Sequence, residues 1–145
     1  AKLVRFDRLR PAKSRGAVMT LSMLLESSPQ DMLGHVGDGM LTYYAQVWAL
    51  VHFLNEGGNG KHRAALRALL LQASQGQMRQ TIANRIGQRA AIETLSSRRG
   101  PEVFMAYFGD DFEATSAAYD AFITQLVSSG SRGPIAAGRS PFEAN

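Results

Sequence analysis

The feature that most constrains this chain is the run MLTYYAQVWALVHFLN at residues 40–55. Met40, Tyr44, Val47, Trp48, Val51 and Leu54 recur at spacings of three and four, the period of an α-helix. Leu41, Ala45, Ala49, Leu50 and Phe53 fill most of the remaining circumference. A helix that is apolar nearly all round must be covered on most sides, so residues 40–56 predict a central buried helix about which others pack. Gly57, Gly58 and Gly60 are expected to end it, because glycine tolerates the left-handed backbone of a helix C-terminus.

Other segments supply the covering layers. Residues 61–74 read as a second helix, with Leu66, Leu69, Leu70 and Ala73 inward and Lys61, Arg63 and Arg67 outward. A third spans residues 78–97, with Ile82, Ile86, Ile92 and Leu95 inward and a weak point at Gly87. Pro101 suits the first turn of a short helix, PEVFMAYF, stopped by Gly109. A last helix over residues 111–128 presents Phe112, Thr115, Tyr119, Phe122, Ile123 and Leu126 on one face. Leu21, Met23, Leu24 and Leu25 form a short apolar turn, and Gly34, Gly37 and Gly39 mark a flexible connection. No strand-like alternation of useful length and no internal repeat occurs. The expectation is an all-α domain of about five helices at residues 21–128, with a basic arm at 1–20 and a flexible tail at 129–145.

At 145 residues the chain fits one domain with a real core. Cysteine is absent, which excludes disulfides, thiolate metal sites and cysteine nucleophiles together. No apolar run reaches the roughly 20 residues that span a bilayer. The chain opens at Ala1 without the charged-then-apolar order of a signal peptide, as a processed piece of a longer product would. Its compartment is not fixed by composition, since exported bacterial proteins also often lack cysteine. Net charge is +4, so an anionic partner is worth weighing, although the basic residues are dispersed.

Each constellation that could carry chemistry is incomplete. His52 and Glu56 stand four apart on the central helix, but a metal needs three or four ligands and no third donor has suitable spacing. A histidine on an apolar helix reads as a satisfied core residue. His62 opens a basic helix and is expected to be exposed, and His35 sits in the glycine-rich connection. GGNGKH at residues 57–62 resembles a phosphate loop only faintly: Asn55 stands where its first glycine belongs, and His62 replaces the required Ser or Thr. Asp110 and Asp111 read as helix caps, and Ser27, Ser28, Ser96 and Ser97 lack a His and Asp arrangement. Arg79, Arg85, Arg89, Arg98 and Arg99 are the candidate anion-binding set. Ala83 and Gly87, four apart among them, evoke a helix-turn-helix, but Ile92 and Leu95 come one residue too early for that motif.

The segment TYYAQVWALVHFLNEGGNGKHRAALRALL, residues 42–70, resembles a stretch of the peptidase-MA-like gluzincins, a family of bacterial zinc metallopeptidases. MAYFGDDFEATSAAYDAFITQLV, residues 105–127, resembles that family's closing helix, and PQDMLGHVGDG is a looser match before the central helix. The resemblance rests chiefly on Tyr44, Ala45, Gln46, Trp48, Ala49, Leu50, Val51, His52, Phe53 and Leu54. It implies a C-terminal helical subdomain that walls a metallopeptidase cleft. The family's His-Glu-x-x-His and later glutamate lie upstream of this segment and are missing here, so zinc is implied only for a longer parent and no catalytic or metal residue is carried over. Tyr43, Tyr44, Trp48 and His52 are the candidate cleft-facing or interaction residues. The expected partner is the remainder of a parent protein or another protein. The alternatives are a stand-alone interaction module, as a homodimer, and a basic nucleic-acid binder.

Overall fold

A computed structural model describes residues 2–33 and 38–142. It is all-α: the described residues form helices that pack on one another, with no strand. In chain order they are α1 (Lys2–Ser14), α2 (Leu21–Glu26), α3 (Pro29–Met32), α4 (Gly39–Gly60), α5 (Arg63–Gln75), α6 (Met78–Ile86), α7 (Gln88–Ser96), α8 (Gly100–Phe108), α9 (Phe112–Leu126) and α10 (Arg132–Ala136). Ten helices stand where about five were expected, because short capped turns and glycine breaks divide segments that periodicity alone runs together.

The long apolar helix is α4, and it is central as its composition requires. Ala45, Gln46, Ala49 and Phe53 are essentially inaccessible to water, and Trp48 and Leu54 are buried. Helical dihedrals stop after Glu56: Gly57 turns to ψ 143°, and Gly58 and Asn59 take the left-handed region at φ 56° and 58°. Against α4 pack α1, α9, α5 and α3. Phe53 meets Tyr119 and Phe122 of α9 edge-on, each at 5.6 Å between ring centroids, the geometry that aromatic quadrupoles favour.

One polar residue organises this apolar centre. The Gln46 side chain donates from Nε2 to the Met19 carbonyl and accepts the Met19 amide at Oε1, both at 2.9 Å. It thereby satisfies both backbone groups of one residue in the connection between α1 and α2. The Gln46 carbonyl in turn accepts the Tyr119 hydroxyl at 3.0 Å. Burial pushes the Tyr119 phenol well above the usual tyrosine range, so it stays a donor at all ordinary pH.

The basic N-terminal segment, whose sequence reads as a short helix or an extended arm with a loop behind it, is a helix. Phe6, Leu9 and Ala12 of α1 lie at three-residue intervals and are fully buried against α4, while the arginines between them face water. Only three apolar side chains per thirteen residues are needed to seat a helix against a surface as apolar as α4, which is why charge masked the signal. The C-terminal segment is likewise partly ordered. A 3-10 turn at Ser129–Ser131 leads into α10, whose Ile135 is buried, and Phe142 stacks on Phe122 at 4.5 Å. An Asp7–Arg132 ion pair at 3.2 Å joins α1 to α10.

The segment expected as one helix over residues 78–97 is two, broken at Gly87 with φ 89° and ψ 157°, a backbone conformation open only to glycine. Ile82, Ala83 and Ala91 close a second small core between α6 and α7, apart from the main one. Ile86 and Ile92, expected inward, are exposed. So are Leu70 and Ala73, because α5 touches the core only through Ala65, Leu66 and Leu69. No helix among the described residues is long and apolar enough to cross a membrane.

Two substitutions test this core. Gln46→Leu strands the amide and carbonyl of Met19 in a half-buried setting, at up to about 1–3 kcal/mol per group. It should lower the midpoint of chemical unfolding sharply, whereas an unchanged midpoint would mean that water replaces both bonds. Gly100 approaches α2 so closely that a Cβ there would stand 2.0 Å from the Leu25 carbonyl oxygen. Gly100→Ala must push α8 away from α2 and should cost about 1–3 kcal/mol, read as a fall in melting temperature.

Candidate functional site

From residue 39 to residue 56, α4 exposes only Leu41, Tyr44 and Val51. Their spacing of three and seven places them on one helical face, and each keeps about half its surface in water, at 52%, 46% and 50%. All three are apolar or aromatic, so the one face that α4 leaves open is the kind that a soluble surface normally covers. Beside it, Leu41 and Tyr44 line an open cavity of about 290 Å³ together with Val4, Arg5 and Arg8 of α1. Val4 is 69% exposed and extends the apolar surface onto α1. Arg8 is held by an ion pair with Asp38.

The two adjacent tyrosines divide their roles. Tyr43 points inward, is buried, and donates its hydroxyl to the Ser27 carbonyl at 3.3 Å. Burial raises its pKa. Tyr44 points outward and meets Tyr43 edge-on at 5.6 Å. Trp48 is buried beneath the same face, and its indole meets the His52 ring edge-on at 4.8 Å. Of the four residues picked from the sequence, only Tyr44 stands open on the surface, with His52 partly so.

His52 and Glu56 form a bonded pair, Nδ1 to Oε1 at 2.9 Å. The other carboxylate oxygen of Glu56 accepts the Ser140 hydroxyl. These three side chains, with Lys2 and Arg139, line a cavity of about 200 Å³. A serine nucleophile needs its base within hydrogen-bond reach, and here the carboxylate lies between Ser140 and the imidazole. The arrangement therefore fastens residues 138–142 to α4 and does not activate Ser140. No group of three or more His, Asp or Glu among the described residues could hold a metal. A cavity of about 550 Å³ lies where α2, α3 and the start of α4 meet, lined by Met19, Met23, Met32 and Thr42 together with Glu26 and Asp38.

The five arginines are dispersed in their pairing. Arg85 is paired with Asp110, and Arg99 with Glu93 at 2.9 Å. Arg79 and Arg89 stand exposed on α6 and α7, and Arg98 borders an apolar cavity beside α8. Two nine-residue helices do meet at Gly87, but that single residue is shorter than the three- to four-residue turn of a helix-turn-helix. Asp111 caps α9 by accepting the Ala114 amide at 3.0 Å, as the sequence indicates.

His62 departs from expectation. It is only 8% exposed, lies between Phe53 at 5.7 Å and Phe108 at 5.8 Å, and its Nε2 has no hydrogen-bond partner. The turn after Glu56 folds the start of α5 back over the core, which carries His62 inward with it. His35, with the rest of residues 34–37, lies outside the described residues.

Burial, aided by the Lys61 charge, lowers the His62 pKa from 6.5, so folding favours the neutral ring. The unfolded chain then binds the extra proton, and the stability that His62 contributes is full above pH 6.5 and falls as pH drops below it. His62→Leu should remove that part of the acid sensitivity. The difference in unfolding free energy between the parent and this variant should be constant above pH 6.5 and shift against the parent below it. A difference that is flat throughout would place the ring in contact with water.

No family model, no curated protein and no solved structure matches the chain.

Proposed function

We propose that this chain is a non-catalytic helical subdomain, similar to the C-terminal part of a gluzincin-like metallopeptidase, that docks against the remainder of its parent through the open face of α4 and α1. The observation that carries the reading is that every exposed position of α4 between residues 39 and 56 is Leu41, Tyr44 or Val51. A helix free in solution gains nothing from presenting three large apolar side chains in one line, whereas an interface core is built from such residues with aromatic anchors at its centre. The same helix carries most of the residues on which the family resemblance rests, Tyr44 to Leu54. In this reading the face is a wall or base for a cleft whose chemistry belongs to the partner segment. The residues present do not fit a zinc centre themselves, since His52 and Glu56 are bonded to each other and their third neighbour is a serine hydroxyl. Zinc would therefore be held by the other part of the parent, and no step of a reaction is assigned to this chain.

The test begins with the intact gene product, measured for mass and zinc content next to this chain. The reading expects a larger, zinc-binding parent with an upstream His-Glu-x-x-His. Within that parent, Leu41→Glu combined with Tyr44→Glu should loosen the docked subdomain and expose the α4 face to limited proteolysis, while the same pair changes the isolated chain's unfolding free energy by no more than about 0.5 kcal/mol. A native product of this length without zinc overturns the subdomain reading. Concentration-dependent dimerisation abolished by the same pair would then assign the face to a second copy of the chain, and salt-sensitive binding to DNA would assign the basic surface to nucleic acid.

A further inference from the structure

Residues of α2, α5, α7 and α8 line an open cavity of about 380 Å³ that shares no lining residue with the cavity on the α1–α4 face. Its walls include Leu25, Leu69, Leu95, Val103 and Phe104, with two polar side chains, Thr94 and Arg98. That volume and that ratio of apolar wall to a few polar groups are what small-molecule sites have.

Both polar groups lack partners. Threonine inside a helix ordinarily returns its hydroxyl to a carbonyl one turn back, and Thr115 and Thr124 do so here, at 2.9 and 3.0 Å. Thr94 is 97% covered and makes no such bond with any described residue. Arg98, which is solvent-exposed, has no carboxylate partner among the described residues, whereas the neighbouring Arg99 is held by Glu93. Its backbone is also unusual. Arg99 N–H bonds to the Thr94 carbonyl at 3.0 Å and Arg98 N–H to the Leu95 carbonyl at 3.3 Å. This pattern closes α7 and puts Arg98 at the position where glycine is the favoured residue. Arg98 sits there at φ 51°. An arginine at a backbone position that favours glycine, beside a threonine whose side chain bonds to no described residue, both lining an apolar cavity, indicates an occupant with an apolar body and an anionic end.

We propose that this cavity binds an unbranched fatty-acyl carboxylate, its chain against Leu25, Leu69, Leu95, Val103 and Phe104 and its carboxylate on the Arg98 guanidinium and the Thr94 hydroxyl. A planar guanidinium matches a carboxylate with two parallel hydrogen bonds. One cation and one hydroxyl suit a single small charged group, and the dry walls offer nothing to the sugar or base of a nucleotide. The site does not depend on whether the α4 face docks.

The experiment titrates decanoate into the full chain, followed by amide chemical shifts and calorimetry, with 1-decanol as the uncharged control. Saturable binding is expected, with shifts centred on residues 94–104. Arg98→Gln should weaken it about tenfold, the size expected for one charge-assisted hydrogen-bonded contact, and 1-decanol should bind as weakly to the parent chain. Thr94→Val should weaken it less. Arg98→Gly provides a second reading that misfolding cannot imitate: it should raise the melting temperature by relieving the left-handed backbone, and still lose the affinity. Equal binding of decanoate and 1-decanol, unchanged affinity in Arg98→Gln, or shifts centred on Leu41 and Tyr44 would each overturn the assignment.

Discussion

The fold hangs on a buried amide. Gln46 occupies the middle of the most apolar helix in the chain, where a leucine would pack with less desolvation. Its side chain instead completes the hydrogen bonding of Met19, a residue in a connection that has no regular secondary structure to do so. Buried backbone groups must be paired somewhere, and this side chain lets the link between α1 and α2 pass beneath α4 without a penalty. Tyr119 adds α9 to the same point through the Gln46 carbonyl. Three parts of the chain, separated by 27 and 73 residues, are thus fixed in register at one position. Hydrophobic burial alone is non-directional. The amide supplies the direction, which selects one packing of α1, α2 and α9 among the several that apolar surfaces would allow.

Around this point the molecule has two unequal cores. The larger one contains the aromatic cluster of Phe53, Tyr119, Phe122, Phe104 and Phe108. The smaller rests on Ile82, Ala83 and Ala91. Tyr107 on α8 packs against both, and its hydroxyl donates to Gln72 of α5 at 2.5 Å. The α4 face is left open between its packed neighbours, whereas the slot beside Arg98 lies among α2, α5, α7 and α8.

The sequence was most legible where one segment carries its own reason. The all-round apolar pattern identified α4, the glycine cluster located its end, Gly87 marked a break, and the face of α9 from Thr115 to Leu126 followed from its period. It was least legible where burial is decided by distant partners. Phe6 and Leu9 are sparse among arginines, and only the existence of α4 makes two such residues enough. His62 looked solvated because its neighbours in sequence are Lys61 and Arg63, while its neighbours in space are two phenylalanines. The candidate residues on α4 showed the same limit. Tyr43 and Tyr44 are indistinguishable by type, and a rotation of about 100° between successive helical residues sends one to the core and the other to water. The slot between Thr94 and Phe104 had no local signature, because its walls come from four helices and its unusual feature, a left-handed arginine, is invisible in composition.

The ion pair between Asp7 and Arg132 bridges 125 residues of chain, and α10 lies against α1 at its other end. The first and last helices of the described residues are therefore packed on each other. The α1 helix thus has two supports, α4 along the core and α10 through the Asp7–Arg132 pair. Truncation near residue 130 therefore removes more than a peripheral helix, because it opens the seam between α1 and α10 and leaves α1 held by α4 alone on that side.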